Sequence, residues 1–358
     1  MDSLLRKLGI ELPIVQAPMA GVSTPEMAAA VSRAGGLGSI GVGAVDAAAA
    51  RQTIAAVRAR TDCPLNVNVF CHQPAVADAQ REAAWLGRLA PEFARYGVQP
   101  PSRLCEIYQS FLTDDAMLAM LLAERPAVVS FHFGLPARER IEALRTAGIR
   151  LLATATSLAE GRAAAAAGID AVVAQGYEAG GHRGVFNPQA HDERLSTLTL
   201  TRLLARGLDV PVIAAGGIMD GAGIAAALAL GAVAVQLGTA FVACPESSAD
   251  AGFRAALLSG AASRTVMTAA ISGRPARSLA NRFTALGEHV RPDEIPDYPV
   301  AYDAGKALHA AAKAQGEFGY GAQWAGQGAP LARALPAAEL VSQLRRELAV
   351  ASSAQRTE

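Results

Sequence analysis

The sequence predicts an α/β fold organised as a (β/α)8 TIM barrel, and three observations lead to that fold class. Eight short apolar runs recur along the chain without the alternation of polar and apolar residues that marks a half-exposed strand. Such runs are typical of parallel strands buried on both faces. Helical patterns separate successive runs, as the crossovers of a parallel barrel require. The chain of 358 residues is 51% hydrophobic but only 5% aromatic, so small residues must pack helices closely against the sheet.

The predicted elements follow one another in order from the N-terminus. The helix that begins in STPE has Thr24 as its N-cap, with Pro25 at the first helical position, or a capping box one residue earlier. SLAE offers a second capping box at Ser157, and two Ala-rich helices end in glycine, at Gly168 and Gly231, directly before a strand. The eight predicted strands are IVQAPMA (14–20), LGSIGVG (37–43), LNVNVF (65–70), AVVSFHF (127–133), RLLATAT (150–156), AVVAQ (171–175), PVIAAGG (211–217) and AVQLGTAF (234–241).

Two regions depart from this alternation. Residues 71–125 contain two helical patterns, 75–96 and 102–123, which predicts an enlarged third crossover. Residues 263–330 follow the eighth strand and are richer in Pro, Gly, Tyr, Arg and His, which predicts an inserted α-rich substrate or cap domain. The expected organisation is a barrel over 1–262, this cap over 263–330, a C-terminal helix within 331–350 that completes the barrel, and a frayed polar tail over 351–358.

Charge and composition exclude several classes of partner. The formal net charge is zero, so the chain offers no general attraction for nucleic acid or for an anionic membrane. Residues 221–244 carry no charge but divide at Gly231 into a helix-like and a strand-like half, which argues against a membrane span. The start of the chain lacks a secretory signal, and the four cysteines lack zinc-site spacing. We expect a cytoplasmic protein with reduced thiols and no metal.

Glycine-rich loops follow the seventh and eighth predicted strands, where barrel enzymes commonly bind phosphate. Gly216 and Gly217 lie in the first loop, and Gly238 and Thr239 lie in the second. Glycines there let backbone N–H groups approach an anion, which favours a phosphate site. The alternative is that they are ordinary turn glycines, which would explain one such glycine more readily than the whole set. The run GLGSIG (36–41) matches a GxGxxG pattern, but it follows a helix and lies in the second strand, which disfavours a Rossmann-type nicotinamide site.

Polar side chains interrupt the apolar strands at Gln16, Asn68, His132, Gln175 and Gln236. Each must find a partner or incur a desolvation cost of about 1–3 kcal/mol. Any one alone can be a satisfied core residue. Five on one barrel indicate a shared flat ligand that is rich in donors and acceptors, a description that fits an isoalloxazine ring with a ribityl chain.

His182 follows the sixth strand within QGYEAGGHRG. An imidazole with an intrinsic pKa of about 6.5 can exchange a proton near neutral pH, and the flanking glycines allow a ligand to approach closely. A structural loop histidine is the alternative. A metal ligand is disfavoured, because no second histidine follows at ligand spacing.

Two phenols and one ammonium recur at helical spacing in YPVAYDAGK. Tyr298, Tyr302 and Lys306 are four residues apart, so a helix with Pro299 in its first turn would place them on one face, toward an anion. A solvated amphipathic helix is the alternative.

The ordered motifs QAPMAG, NVNVF, QGYEAGGHRG, AGGI and QLGTAF resemble the nitronate monooxygenases, formerly called 2-nitropropane dioxygenases, over essentially the whole chain. The pattern of Tyr108 and His132 with YPVAYDAGK resembles the class I enzymes. The resemblance implies an FMN-dependent barrel with an inserted substrate domain. It implies His182 as the catalytic histidine. It implies substrate contacts at Tyr108, His132, Tyr298, Tyr302 and Lys306, and FMN contacts at Ala17, Met19, Asn68, Gln175, Gly180, Gly181, Gly216, Gly217, Gln236, Leu237, Gly238 and Thr239.

The resemblance further implies oxidation of propionate 3-nitronate and other alkyl nitronates by dioxygen to a carbonyl product and nitrite, without NAD(P)H. His182 would act as base on a neutral nitroalkane and would mainly position a preformed nitronate. Two alternatives stay open: an FMN-dependent NAD(P)H enoyl-acyl-carrier-protein or quinone reductase, which shares much of this pattern, and a non-redox barrel lyase or isomerase that binds a substrate phosphate. The sequence leaves both a monomer and a homodimer open.

Overall fold

A computed structural model describes residues 3–354. Its centre is an eight-stranded parallel sheet in the order β1-β9-β8-β6-β5-β4-β3-β2. A parallel bridge between Val15 and Leu37 joins the two ends of this order, so the barrel is nearly closed and the predicted fold class is confirmed. The strands are β1 Ile14–Gln16, β2 Gly38–Gly41, β3 Leu65–Phe70, β4 Val128–His132, β5 Arg150–Ala155, β6 Ala171–Gln175, β7 Gly181–His182, β8 Val212–Ala215, β9 Ala234–Leu237, β10 Thr265–Thr268 and β11 Ala276–Leu279.

Helices cover the outside of the barrel and build the cap. Thr24 is the N-cap of the second helix, with its side chain accepting from the Met27 N–H at 3.1 Å, as predicted. The helices are α1 Ser3–Leu8, α2 Pro25–Arg33, α3 Ala47–Arg58, α4 Ala79–Ala94, α5 Asp115–Glu124, α6 Arg138–Thr146, α7 Leu158–Ala166, α8 Thr197–Gly207, α9 Gly221–Ala229, α10 Thr239–Val242, α11 Ala251–Leu257, α12 Arg282–Leu286, α13 Val300–Lys313 and α14 Ala337–Ala354.

The second predicted capping box is only half formed. Ser157 caps α7 by accepting from the Glu160 N–H at 3.2 Å. The Glu160 carboxylate turns away from the cap and accepts from the N–H groups of Thr156 and Phe186, each at 2.7 Å. It therefore ties the end of β5 to the loop that follows His182, instead of closing the box.

Several predicted elements are shorter than expected, among them the first strand, which forms over Ile14–Gln16 where 14–20 was predicted; two of them show why. The eighth apolar run ends as a strand at Leu237, because the Phe241 N–H bonds to the Gly238 carbonyl at 2.9 Å and starts the helical turn α10. The predicted helix over 102–123 forms only as α5. Before it, the Phe111 N–H donates to the Phe70 carbonyl and the Cys105 N–H donates to Asp303, so other elements take the bonds that a helix needs.

The cap is joined to the strand that carries His182. Strands β10 and β11 pair antiparallel, and β11 pairs antiparallel with β7, with Ala276 opposite His182. Helix α13 packs its Ala301, Ala304 and Leu308 against buried side chains of α4 that include Trp85. The enlarged crossover and the inserted segment thus share one hydrophobic core above the barrel.

Helix α14 returns to the barrel and packs Leu340 and Leu344 into a core cluster with Ile224 of α9. It runs through Ala354, so residues 351–354 continue the helix where a frayed tail was expected, and the rest of that tail lies outside the described residues. The uncharged stretch 221–244 divides into α9, β9 and α10. Across residues 3–354, every helix is too short or too polar to cross a bilayer.

Candidate active site

The C-terminal ends of the barrel strands and the cap enclose a cavity of about 600 Å³, a volume in the range of small-molecule sites. Every site residue predicted from the sequence lines it except Leu237. Leu237 packs into the barrel core, and its carbonyl accepts from the Ala17 N–H at 2.8 Å. Because side chains alternate along a strand, Gln236 faces the cavity and Leu237 faces away from it.

Gln16 does not join the polar residues at the cavity. Its side chain is fully buried, with Oε1 accepting from the Ser39 N–H at 2.9 Å and Nε2 donating to Ser23 Oγ at 2.8 Å. It is a satisfied core residue that ties β1 to β2, so the prediction of five polar groups on one ligand was wrong for this member.

The glycine loops form an open, concave backbone surface. Gly216 and Gly217 have φ values of +123° and +69°, and successive residues of this kind form anion-binding concavities. A Cβ at Gly180 would lie 2.5 Å from the Gly326 nitrogen, so only glycine fits there. Gly238 precedes α10, which begins without a side-chain cap. This surface fits a phosphate.

The amide side chains at the strand ends differ in how many hydrogen bonds they already make within the protein. Asn68 Nδ2 donates to the Ser130 carbonyl and hydroxyl, both at 3.0 Å, while the side-chain amide of Gln236 has no hydrogen-bond partner within residues 3–354. Gln175 reaches the cavity, but its Nε2 donates to the His182 carbonyl at 2.9 Å and its Oε1 accepts from the Gly184 N–H at 2.8 Å. Gln175 therefore shapes the loop of His182 with both ends of its amide.

His182 lies between barrel and cap, surrounded by aromatic rings. The centre of its ring is 5.0 Å from that of Trp324, 5.3 Å from Tyr298 and 5.6 Å from Phe133. Burial lowers the pKa of His182 well below 6.5, and the nearby His132, Arg274 and His72 lower it further. The imidazole is consequently neutral at pH 7 and can accept a proton.

His132 lies at the cavity, as predicted, but both of its ring nitrogens bind protein groups. Nε2 donates to the His182 carbonyl at 3.2 Å, so Nδ1 accepts from the Thr154 hydroxyl at 3.1 Å. Burial lowers its pKa to about 4. His132 therefore holds the backbone of His182 and has no ring nitrogen left for a substrate anion.

The predicted cluster of phenols and ammonium is present, although its helical basis was partly wrong. Helix α13 begins at Val300 with Pro299 as its N-cap, so Tyr298 precedes the helix. The cluster still forms because Tyr108 fills the gap, with ring centres 6.2 Å from Tyr298 and 6.0 Å from Tyr302.

Lys306 supplies a cation to this cluster. Its ammonium lies 4.8 Å from the centre of the Tyr108 ring and 5.4 Å from that of Tyr302. Burial lowers its pKa, and it makes no salt bridge within the described residues. Burial also raises the pKa of Tyr302 to about 12, so the phenols stay protonated and can donate to an anion.

Several residues at the site were missed by the sequence reasoning. Phe133 directly follows β4 with a φ of +75°, a strained setting for an aromatic residue. The buried Arg274 guanidinium lies 4.3 Å from the centre of the Phe133 ring, and Ser272 Oγ lies 2.8 Å from His182 Nε2. No local pattern marks Ser272 and Arg274, because the pairing of β11 with β7 brings them to His182 from far along the chain.

A parallel barrel with glycine loops at its strand ends, and with a cavity that both a neutral histidine and an unpaired lysine line, has the features of the flavin-dependent barrel oxidoreductases. Within this class the chain belongs to the nitronate monooxygenase family, whose sequence model matches residues 2–347. The chain is 67% identical to a nitronate monooxygenase of Paraburkholderia phytofirmans, covering 97% of this chain and 94% of the relative. It is 58% identical to one of Pseudomonas aeruginosa, covering 97% and 99%.

Among solved structures, the chain is similar to a nitroalkane oxidase from Streptomyces ansochromogenes. The TM-score is 0.89 at 44% sequence identity, over 98% of this chain and 99% of that one. The fold of that nitroalkane oxidase therefore extends over nearly the whole length of this chain.

Proposed function

We propose that this chain is an FMN-dependent nitronate monooxygenase of the cytoplasm. In this proposal it oxidises propionate 3-nitronate and other alkyl nitronates with dioxygen to a carbonyl product and nitrite, without NAD(P)H. The observation that carries the proposal is the cavity that holds both an unpaired ammonium, Lys306, and a neutral imidazole, His182. Such a pair binds an anionic nitro group and can accept a proton from the adjacent carbon.

The residues present fit an FMN at the barrel end of the cavity. Backbone amides of Gly216, Gly217 and Gly238 with the Thr239 hydroxyl would hold the phosphate, and the free Gln236 amide would meet the polar edge of the ring system. When bound, FMN supplies the redox chemistry between the substrate and dioxygen. Met19 Sδ would lie 3.7 Å from a Cβ at Gly238 and closes the same wall.

Residues of the cap and of the third crossover bind and orient the substrate. Lys306 and the phenols of Tyr108, Tyr298 and Tyr302 donate to the nitro oxygens and, for propionate 3-nitronate, to its carboxylate. With a neutral nitroalkane, His182 takes the α-proton. With a preformed nitronate no proton has to leave the carbon, so His182 only positions it.

The experiment measures nitrite released under air from propionate 3-nitronate and from ethyl nitronate, with and without NADH. We expect a yellow protein that releases nitrite equally well in both conditions. Rapid NADH oxidation without nitrite would instead support the reductase alternative, and a colourless protein would support a lyase or isomerase.

A further inference from the structure

We propose that Ser272 is a positioning residue that fixes the tautomer of His182 and makes Nδ1 the atom that accepts the substrate proton. This rests on the proposed function in that the proton comes from the α-carbon of a neutral nitroalkane. Ser272 lies in the cap, in the turn between β10 and β11, and none of the sequence motifs pointed to it.

The hydrogen bonds around Ser272 determine which nitrogen is protonated. Ser272 Oγ lies 2.8 Å from His182 Nε2 and 3.3 Å from the Arg274 carbonyl. A carbonyl oxygen only accepts, and a hydroxyl has one hydrogen. Ser272 therefore donates to the Arg274 carbonyl and accepts from an Nε2–H of His182. In a neutral imidazole the other nitrogen, Nδ1, then carries the lone pair.

Nδ1 is the ring nitrogen of His182 that remains open to a ligand. It has no hydrogen-bond partner within residues 3–354, and the His182 side chain lines the cavity. The polar neighbours hold the backbone of His182 instead, because His132 and Gln175 both donate to its carbonyl. The imidazole is thus fixed at Nε2 and available at Nδ1.

The turn that carries Ser272 is rigidly placed. The Ser272 side chain is fully buried, and the Gly273 N–H donates to the Ala269 carbonyl at 2.7 Å. Gly273 has a φ of +89°, and a Cβ there would lie 2.4 Å from the Pro296 carbonyl oxygen and 2.6 Å from the Tyr298 nitrogen. The same turn therefore sets Ser272 against His182 and packs against the segment that carries Tyr298.

The charges around His182 favour this arrangement. Arg274 faces the imidazole from the cap turn and opposes its protonation; His132 of β4 and His72, two residues after β3, also face it, but their own pKa values are lowered to about 4, so they are neutral at pH 7. Within the described residues, Arg274 makes no salt bridge, and its Nε has no partner. A second proton on His182 is therefore unfavourable until an anion is bound, which leaves Nδ1 unprotonated in the free enzyme.

Proton transfer moves the α-proton of the nitroalkane to Nδ1 of His182. The α-C–H bond of the nitroalkane breaks and an Nδ1–H bond forms. The released electron pair moves into the C–N bond, so the negative charge lies on the nitro oxygens, near Lys306. The imidazolium keeps its Nε2–H bond to Ser272, so the orientation of the ring does not change.

The test compares wild type, Ser272→Ala and Ser272→Thr, with Ser278→Ala as a matched control. Ser278 is equally buried and donates to the Gln323 carbonyl at 3.0 Å, without contact to His182. The first readout is ¹⁵N NMR of histidine-labelled protein, with the His182 signals identified by their loss in His182→Asn. We expect Nε2 protonated and Nδ1 unprotonated in wild type, in Ser272→Thr and in the control, and a mixed tautomer in Ser272→Ala.

The second readout is kcat/KM for nitroethane and for ethyl nitronate. Ser272→Ala should lose about 10- to 100-fold with nitroethane, by analogy with groups that orient metal-ligating histidines through a hydrogen bond, and little with the nitronate. A wild-type His182 protonated at Nδ1, or an unchanged tautomer in Ser272→Ala, overturns the proposal. If wild type oxidises no nitro compound, the proposed function fails, while the NMR result still decides the tautomer.

Discussion

Replacing Lys306 by Met tests how the cavity selects an anion. The ammonium lies within 5.4 Å of the centres of two tyrosine rings, although the lysine as a whole is exposed, and no carboxylate of residues 3–354 forms a salt bridge with it. A hydrogen bond from a charged donor contributes about 1.5–3 kcal/mol, so its loss should weaken anion binding by about 10- to 150-fold. Neutral nitroethane carries no charge for Lys306 to neutralise before proton transfer, so its KM should change far less.

The measurement is the competitive inhibition constant of nitrate, a planar anion with the O–N–O geometry of a nitronate, together with KM for ethyl nitronate. Lys313→Met is the matched control. Lys313 lies on the same helix and lines the same cavity, but its Nζ is paired with Asp250 at 3.2 Å. Unchanged nitrate inhibition in Lys306→Met, or an equal loss in Lys313→Met, would refute the assignment of Lys306 as the anion-binding residue.

Three further predictions concern the histidines and a glycine of the cavity wall. His182→Asn should lower kcat/KM for nitroethane by about 10²- to 10⁴-fold and should change kcat/KM for ethyl nitronate much less. In wild type, kcat/KM for nitroethane should stay level as the pH falls through 6.5, because the pKa of His182 is lowered and the imidazole stays neutral. Equal losses on both substrates would contradict the role as a base. The pKa of buried His72 is lowered to about 4, so between pH 6.5 and 4 the unfolded chain binds a proton that the folded chain excludes. The free energy of unfolding therefore falls by up to about 3 kcal/mol as the pH drops through this range. In denaturant unfolding, His72→Phe should lose up to about 3 kcal/mol less than wild type over the same range, and an identical pH dependence of the two proteins would contradict this prediction. Gly180→Ala places a Cβ against the backbone of Gly326, so it should lower the free energy of unfolding by about 1–3 kcal/mol and reduce the amount of flavin that the protein retains. Gly87→Ala, with no atom within 4 Å of its Cβ, should instead stabilise helix α4 by about 0.5–1 kcal/mol. The melting temperatures and the flavin content of both variants decide this.

The barrel could be predicted because its signals are local. Strands β3 and β6 form at their predicted bounds, since a run buried on both faces is continuously apolar. The N-cap at Thr24 followed from residue types alone. The predicted site residues of the barrel other than Leu237 line one cavity because the C-terminal ends of parallel strands meet at one end of a barrel.

The rest depends on contacts between distant parts of the chain. Gln16 has the same apolar context as Gln236, yet it finds Ser39 and Ser23 in the core. Ser272 reaches His182 only through the pairing of β11 with β7. Neither position has a periodicity or a motif that reveals its partner.

The most direct test of the proposed activity is anaerobic mixing of the yellow wild-type protein with ethyl nitronate and, separately, with NADH, followed by the flavin absorbance. We expect that the nitronate bleaches the flavin within the turnover time and that NADH does not. Rapid bleaching by NADH with none by the nitronate would contradict it.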